Sequence, residues 1–255
     1  MEKFKKIYEE AKPVSLEYYS YDVPANYYFN RKREKLIKSF IRKVISLNSI
    51  NFLDVGCGDG YYLKFIEQNY KHVFSIGVDI SSSQLKHAKR KIKVKSNLIV
   101  ASATNLPFKD SSFEVVLCSE VVEHIPDVTS TLKELARVCK SKLIISTPTL
   151  TAPFIRFELN IAKKLGRPGK WGKTHIREFK QNEFLSLLIN NNLRPILIKA
   201  TPFIYFPLIF KLLSLLGLPF AKLLYVTDSI FTQLLPFLQR LGIVTVTICK
   251  KQSKV

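Results

Sequence analysis

Short apolar runs of strand length alternate with amphipathic segments along most of the chain. The runs fall near 50–55, 73–79, 97–101, 113–119, 141–147, 194–200 and 242–249. Between them, apolar residues recur at helical spacing, as in Leu132, Leu135, Ala136 and Cys139. This alternation predicts an α/β fold, in which a doubly wound, mostly parallel seven-stranded sheet is covered by helices on both faces.

The first apolar run ends in an acid and a glycine-rich turn, Leu53-Asp54-Val55-Gly56-Cys57-Gly58-Asp59-Gly60. Glycine tolerates positive φ and carries no Cβ, so the backbone here can turn sharply and lie against a ligand. The spacing is G-x-G-x-G, and Tyr61 stands where a dinucleotide-binding turn has its last glycine. Asp54 and Asp59 would repel a diphosphate. They suit a cationic ligand such as S-adenosylmethionine (SAM), which carries an ammonium and a sulfonium.

The second apolar run also ends in an acid, Asp79, about twenty residues past the glycines, where a carboxylate can accept hydrogen bonds from ribose hydroxyls. Two further polar residues, Ser102 and Glu120, follow the third and fourth runs. Ligands of open α/β sheets bind outside the carboxyl ends of the strands. The sequence therefore predicts one ligand site at this edge of the sheet.

Four segments in order resemble the successive motifs of class I SAM-dependent methyltransferases, especially the branch of quinone-biosynthesis enzymes. They are the glycine turn, Gly77-Val78-Asp79-Ile80-Ser81, Ala103-Thr104-Asn105-Leu106-Pro107-Phe108, and residues 113–120 followed by Val122-Glu123-His124-Ile125. The resemblance covers roughly residues 40 to 200. It implies a Rossmann-like methyltransferase fold in which the last strand, near 242–249, lies antiparallel beside strand five.

The resemblance also implies a set of cofactor contacts. The glycine turn would hold the methionine part of SAM, the acid after strand two the ribose, and the residues after strand three the adenine. The expected contacts are Asp54, Gly56, Cys57, Gly58, Gly60, Asp79, Ile80, Ser102, Ala103, Thr104 and Glu120. Because the family usually has an acid where this chain has Ser102, we expect weaker selectivity for adenine.

Methyl transfer from a sulfonium needs no covalent residue, since the protein has chiefly to align the reactants and exclude water. An oxygen acceptor would benefit from a general base, for which His124 is the first candidate and His175 the second. A histidine in either place can instead bond only to loop backbone, and a carbon acceptor can ionise without a base. The four histidines are scattered along the chain and the four cysteines form no C-x-x-C pair, so we expect buried free thiols and no metal site.

The formal net charge of +20 is typical either of a protein that binds nucleic acid or an anionic membrane, or of lysines dispersed over a solvated surface. Enzymes that methylate base amines carry an Asn/Asp-Pro-Pro-aromatic motif after strand four, which this chain lacks. A nucleic-acid methyltransferase is therefore the less favoured alternative, and a non-catalytic SAM-binding protein is another. The basic, turn-rich segment 163–173 holds the only tryptophan, Trp171, and favours a membrane surface.

We divide the chain into an N-terminal helical, tyrosine-rich lid segment, 1–40, and a methyltransferase domain, 41–255, with a hydrophobic insertion at 201–241. Tyr21 or Tyr28 in the first segment either lines the site or packs a helix onto the sheet. Lysines and prolines break the insertion into pieces shorter than the roughly 18 uncharged residues of a spanning helix. We therefore expect the insertion to cap the sheet, to cover an apolar substrate pocket or to insert into the surface of a bilayer.

These features together predict the acceptor and the location. We expect a small lipophilic acceptor, methylated on oxygen or carbon. Because the first residues lack the apolar core of a secretory signal, we expect a cytoplasmic protein, held peripherally at the inner face of an anionic membrane. The oligomeric state stays open.

Overall fold

The computed structural model describes residues 24–45, 50–149, 151, 175–201 and 207–252, with only the backbone for some residues of the first and last helices. The strands are β1 (Ile50–Val55), β2 (Val73–Asp79), β3 (Asn97–Val100), β4 (Phe113–Ser119), β5 (Cys139–Pro148), β6 (Leu193–Thr201) and β7 (Val244–Lys251). The helices are α1 (Pro24–Val44), α2 (Tyr61–Asn69), α3 (Ser82–His87), α4 (Val128–Val138), α5 (Gln181–Asn190) and α6 (Pro207–Leu234).

The strands form one sheet in the order β3-β2-β1-β4-β5-β7-β6. Strands β1 to β5 pair in parallel, whereas β7 lies antiparallel between β5 and β6. The predicted fold class and the antiparallel last strand beside strand five are both confirmed. The reversal at β2-β1-β4 places the carboxyl ends of these strands around a crevice, the usual ligand position of such sheets.

The central strands are apolar on both sides because helices cover both faces of the sheet. Phe52 and Leu53 are neighbours in β1, yet Phe52 belongs to the core cluster that includes Phe40 of α1, and Leu53 belongs to the cluster that includes Leu132 of α4. Successive side chains of a strand point to opposite faces, so a run without polar interruption is buried twice. Because β1 is buried on both faces, its position in the sheet is fixed, and so is the position of the glycine turn that follows it.

Strands β3, β5, β6 and β7 have boundaries one or two residues away from the predicted ones, and two of these differences have a clear physical reason. Cys139, which the helical spacing assigned to a helix, is the first residue of β5 and pairs with Phe113. The apolar period of α4 continues into a strand whose first residue is also buried, and periodicity cannot separate the two. The last strand begins at Val244, two positions later than predicted, where it pairs with Pro148.

Helix α6 occupies most of the predicted insertion and breaks at Gly217, whose φ of 76° and ψ of −173° are not helical. A 3₁₀ turn, Pro236–Arg240, follows it. The second half of α6 packs on α1, where Tyr28 is buried and donates a hydrogen bond to Asp228 at 3.3 Å. Among the described helices, none has the length and apolar character needed to cross a bilayer. Trp171 with its basic segment, and the tyrosines before Pro24, lie outside the described residues.

Candidate active site

A cavity of about 570 Å³ opens at the carboxyl ends of β1, β2 and β4. Among the predicted cofactor contacts, the residues that line it are Gly56, Asp79, Ile80, Ser102, Ala103, Thr104 and Glu120. The predicted contacts Asp54, Cys57, Gly58 and Gly60 belong to the end of β1 and the turn after it, and do not line the cavity. The residues that sequence reasoning missed are Val55, Val78, Ala101, Asn105, Val121, Ile125, Pro126, Asp127 and Ser130.

The glycine turn has two kinds of glycine. A Cβ on Gly56 would lie 2.3 Å from Cγ2 of Val121, so Gly56 is required by packing as well as by its φ of +74°. A Cβ on Gly58 would meet nothing within 4 Å, and only the φ of +52° restricts the residue there. The backbone of Gly58 therefore faces open space, where a ligand can approach it closely.

Three acids surround this turn. Asp54 and Asp59 are buried, and the Oδ2 atom of each has no hydrogen-bond partner among the described residues. Burial, followed by repulsion from Asp79 and Asp59, raises the pKa of Asp54 to about 8. Burial raises the pKa of Asp59 to about 6 and also raises the pKa of Asp79. Because an unpaired buried carboxylate is costly, this arrangement is suited to a cationic ligand that compensates the charge.

Asp79 is held in position by backbone amides. Its Oδ2 atom accepts a hydrogen bond from N of Gly58 at 2.8 Å, and its Oδ1 atom accepts one from N of Ser81 at 2.8 Å. The carboxylate thus joins the turn after β1 to the start of α3. Asp79 lines the cavity, and a carboxylate can accept more hydrogen bonds than these two.

The side-chain oxygen of Ser102 forms its hydrogen bonds within its own turn. It accepts a hydrogen bond from N of Thr104 at 3.2 Å and lies 2.8 Å from Oγ1 of the same residue. Asn105, three residues after Ser102 in the same turn, is exposed and lines the cavity. The sequence signal for Asn105 is its place in the third of the four motif segments.

Glu120 lies at the end of β4 and has a φ of 57°, a strained value for a residue with a Cβ. Its Oε2 atom pairs with Nη1 of Arg33 at 3.2 Å, and its Oε1 atom accepts a hydrogen bond from Ser146 at 2.9 Å. Arg33 belongs to α1, far away in the chain, and no local pattern marked it. The pair connects α1 to the wall of the cavity.

The two candidate bases meet. The amides of Ile176 and Arg177 donate to the carbonyl of Glu123 at 3.0 and 3.3 Å, and this places His175 beside His124 with 4.9 Å between ring centroids. His124 lines the cavity, whereas His175 does not. Burial, followed by the neighbouring His124, lowers the pKa of His175 to about 4. His175 is therefore neutral at pH 7.

The same cluster has the donor atoms of a possible metal site. One ligand atom each from Glu123, His124 and His175 lies within 4.8 Å of the others. Burial raises the pKa of Glu123, and its Oε1 atom lacks a hydrogen-bond partner among the described residues. Two imidazoles and a carboxylate are ligands that zinc and iron accept. The expectation of no metal rested on the distance between these histidines in the sequence; it stays a prediction.

Comparison with known proteins identifies the domain. Residues 53–145 match the family model described as a methyltransferase domain. The chain contains a class I SAM-dependent methyltransferase domain. The domain is 40% identical over 91 residues to a demethylmenaquinone methyltransferase of Staphylococcus saprophyticus, covering 34% of this chain and 39% of that one. It is 38% identical over 110 residues to a ubiquinone/menaquinone biosynthesis C-methyltransferase of Rickettsia massiliae, covering 40% and 44%.

The chain spans about two fifths of the length of these curated relatives. A solved SAM-dependent methyltransferase from Thermotoga maritima superposes with a TM-score of 0.63 at 17% identity, covering 98% of this chain and all of that one. At this identity the likeness concerns the fold. It extends the methyltransferase fold beyond residues 53–145 to the other described parts of the chain.

The residues of the methyltransferase domain fit SAM as its cofactor. The unpartnered Oδ2 atoms of Asp54 and Asp59 complement a cation, and the open space over Gly58 admits a ligand against the backbone. Asp79 stands at the cavity with lone pairs for hydroxyl donors. A diphosphate cofactor in this cavity would lie against Asp79, with Asp54 and Asp59 close behind it, and this cluster of acids disfavours such a cofactor.

Proposed function

We propose that this protein transfers a methyl group from SAM to a small lipophilic acceptor, on oxygen or carbon. The observation that carries the proposal is the pair of buried, unpartnered carboxylate oxygens on Asp54 and Asp59 beside the glycine turn. A cationic cofactor is the ligand class that compensates such a site. When bound, SAM supplies an electrophilic methyl group.

In this proposal each predicted residue has a distinct task. The turn from Gly56 to Gly60 and the acids Asp54 and Asp59 bind the methionine part, and Asp79 with Ile80 binds the ribose. Ala103, Thr104 and the neighbouring Asn105 bind the adenine. Ser102 shapes their turn, since its oxygen already accepts a hydrogen bond from Thr104.

Glu120, fixed by Arg33, orients the loop that carries His124. For an oxygen acceptor, His124 is the residue that removes the proton, because it lines the cavity. His175, with a pKa of about 4, is a weak base and serves better to position His124. A carbon acceptor would depend on neither imidazole.

The lipophilic acceptor is supported by the cavity wall and by the relatives. Apolar side chains from Val55, Val78, Val121, Ile125 and Pro126 contribute to that wall. The relatives in Staphylococcus and Rickettsia are named for menaquinone or ubiquinone biosynthesis. We therefore propose a quinone-like ring with an apolar tail, reached by a cytoplasmic enzyme at the surface of a membrane.

The test is an assay with methyl-labelled SAM and separate acceptor classes. Demethylated quinones, phenols with alkyl tails, fractionated native lipids and RNA are offered in turn at a SAM concentration below saturation, with Asp54→Asn as the control that should transfer less label. Label in a quinone or phenol supports the proposal. Label in RNA supports the nucleic-acid alternative suggested by the charge of +20. SAM binding by calorimetry without transfer to any class would indicate a non-catalytic SAM-binding protein.

A further inference from the structure

The outward side of the second half of α6 is apolar. We define the α6 stripe as Leu223, Val226, Ile230, Phe231, Leu234 and Phe237, whose exposed fractions run from 49% to 72%. Leu223, Val226, Ile230 and Leu234 follow one another at intervals of three or four, so they share one side of the helix. Phe237 lies in the 3₁₀ turn that follows α6. Contiguous exposed apolar surface of this kind marks an interaction site rather than ordinary surface.

The inward side of the same helix is polar and fixed to α1. Asp228, with a side chain only 1% exposed, pairs with Nζ of Lys32 at 2.7 Å. Lys32 also donates to Ser229 at 2.6 Å, and Ala221 is fully buried. Rotating α6 to hide the stripe would break these buried contacts. The stripe is therefore presented to the outside by the fold.

A second cavity, of about 360 Å³, lies between α1, β6 and α6, and we name it the basic groove. Its cationic residues are Lys32, Lys35 and Lys199, and its hydroxyls include Ser39 and Thr201. The groove holds one acid, Asp228, which Lys32 already pairs with, so Lys35 and Lys199 have no acid partner in the described residues. Ammonium donors around a groove are the chemistry that binds a phosphate.

The surroundings of the stripe and the groove are also positive. The exposed charged residues of α1, α6 and the following 3₁₀ turn, within the described part of the chain, are Arg31, Lys35, Arg42, Lys43, Lys222 and Arg240. The acids of these elements, Glu34 and Asp228, are both buried. At 100° per residue, Lys222 lies on α6 between the stripe and the side that faces the groove.

This charge distribution favours one kind of binding partner for the stripe and the groove. Two copies of the chain joined through the stripe would bring like charges together, which opposes self-association. An anionic phospholipid surface presents phosphates to the cations and an apolar interior to the stripe. Amphipathic helices with a basic flank bind such surfaces by burying the apolar side at the acyl boundary.

We propose that the α6 stripe and the basic groove form one docking surface for an anionic phospholipid bilayer. The stripe enters the acyl boundary, and Lys35 and Lys199 bind a headgroup phosphate at its edge. This inference rests on the proposed function, because a lipophilic acceptor would be dissolved in the bilayer. Docking itself requires no methyl transfer and can be measured without it.

The first experiment is co-sedimentation of the full chain with phosphatidylglycerol–phosphatidylcholine vesicles and with phosphatidylcholine vesicles, at low and high salt. We expect binding to the anionic vesicles that weakens with salt. Ile230→Glu should reduce the affinity by about tenfold, because it places a carboxylate at the acyl boundary. Ile189→Glu on α5 is the matched control, since Ile189 is 52% exposed and Ile230 is 49% exposed, and it should bind as the unmodified protein does.

The second experiment separates the groove from the total charge. Lys35→Glu with Lys199→Glu should remove the preference for anionic vesicles. Lys86→Glu with Lys91→Glu changes the net charge equally but lies on the segment after β2, near the other edge of the sheet, and should keep the preference. Circular dichroism melts of every variant check that it is folded.

Three results would overturn the inference. One is no binding to anionic vesicles at low salt, and another is binding that Ile230→Glu and Ile189→Glu weaken equally. The third is a dimer by light scattering that Ile230→Glu dissociates, which would make the stripe an interface between copies. SAM affinity is measured in parallel on the unmodified protein. Vesicle binding without SAM binding would count against the proposed function alone. SAM binding without vesicle binding would count against the docking surface alone.

Discussion

The amide of Gly58 donates a 2.8 Å hydrogen bond to Oδ2 of Asp79, which connects the turn after β1 to the acid that ends β2. Two motifs that are separate in the sequence are thereby one unit in the fold. A change in the turn is transmitted to the proposed ribose-binding acid. A change in the backbone of Gly58 should therefore weaken ligand binding at the turn and at Asp79 together.

Replacing Gly56 and Gly58 one at a time distinguishes a glycine that is required by packing from one that is required by the approach of the ligand. Gly58→Ala should cost about 1–2 kcal/mol of unfolding free energy, the penalty of positive φ alone. Gly56→Ala should cost about 2–5 kcal/mol, because its Cβ also meets Val121. Urea unfolding measures both. SAM affinity by calorimetry should nevertheless fall in Gly58→Ala, and an unchanged affinity would show that the ligand does not approach this backbone.

The acid at the end of β1 should make stability depend on pH. Asp54 keeps its proton in the folded state up to a pKa of about 8, whereas in the unfolded chain it ionises near about 3.9. Between these values the folded state binds more protons, so the unfolding free energy of the SAM-free protein falls as pH rises. Asp54→Asn should remove this part of the slope, and thermal melts across this range compare the two proteins.

The same residue should link cofactor binding to proton release. If a cation binds best to ionised Asp54, SAM affinity rises with pH up to about 8 and then levels. Calorimetry in buffers of different ionisation enthalpy measures the proton released. Asp54→Asn should bind SAM at least about tenfold more weakly and release fewer protons. Equal affinity at pH 6 and pH 8 would contradict this role.

The contact between α1 and α6 should be a main source of stability. Asp228→Ala leaves Lys32 buried without its partner and should cost about 3–5 kcal/mol in urea unfolding. The double variant Lys32→Met with Asp228→Leu should recover much of that loss, since neither charge then remains. Asp110→Ala is the control, because Asp110 is 76% exposed in its pair with Arg137 and should cost at most about 1 kcal/mol.

The imidazole of His175 should titrate at about pH 4 when followed by NMR. In the unfolded chain a histidine binds its proton near about pH 6.5, so this residue lowers the unfolding free energy as pH falls from 6.5 toward 4. His124→Ala should raise the pKa of His175, because repulsion from His124 is one of the two causes of the shift. No change on this substitution would show that burial alone is responsible.

The sequence predicted the fold well because the signals for it are local. Apolar runs, the glycine turn and the acids Asp54 and Asp79 are all readable within a few residues, and the family resemblance supplied the antiparallel last strand. Local signals were weaker at boundaries, as at Cys139, where a buried helix end and a buried strand start look alike. The division at residue 40 stays a prediction, and helix α1 runs from Pro24 to Val44.

By itself, the sequence determined which residues end the strands and hence which chemistry collects at one edge of the sheet. Only the tertiary structure decided that His175 meets His124, that Arg33 pairs with Glu120, and that the apolar side of α6 faces outward. Periodicity records that a residue has an apolar neighbour, but not which neighbour it is. Contacts between distant segments depend on how the layers pack on one another, and the partners of these residues became visible only there.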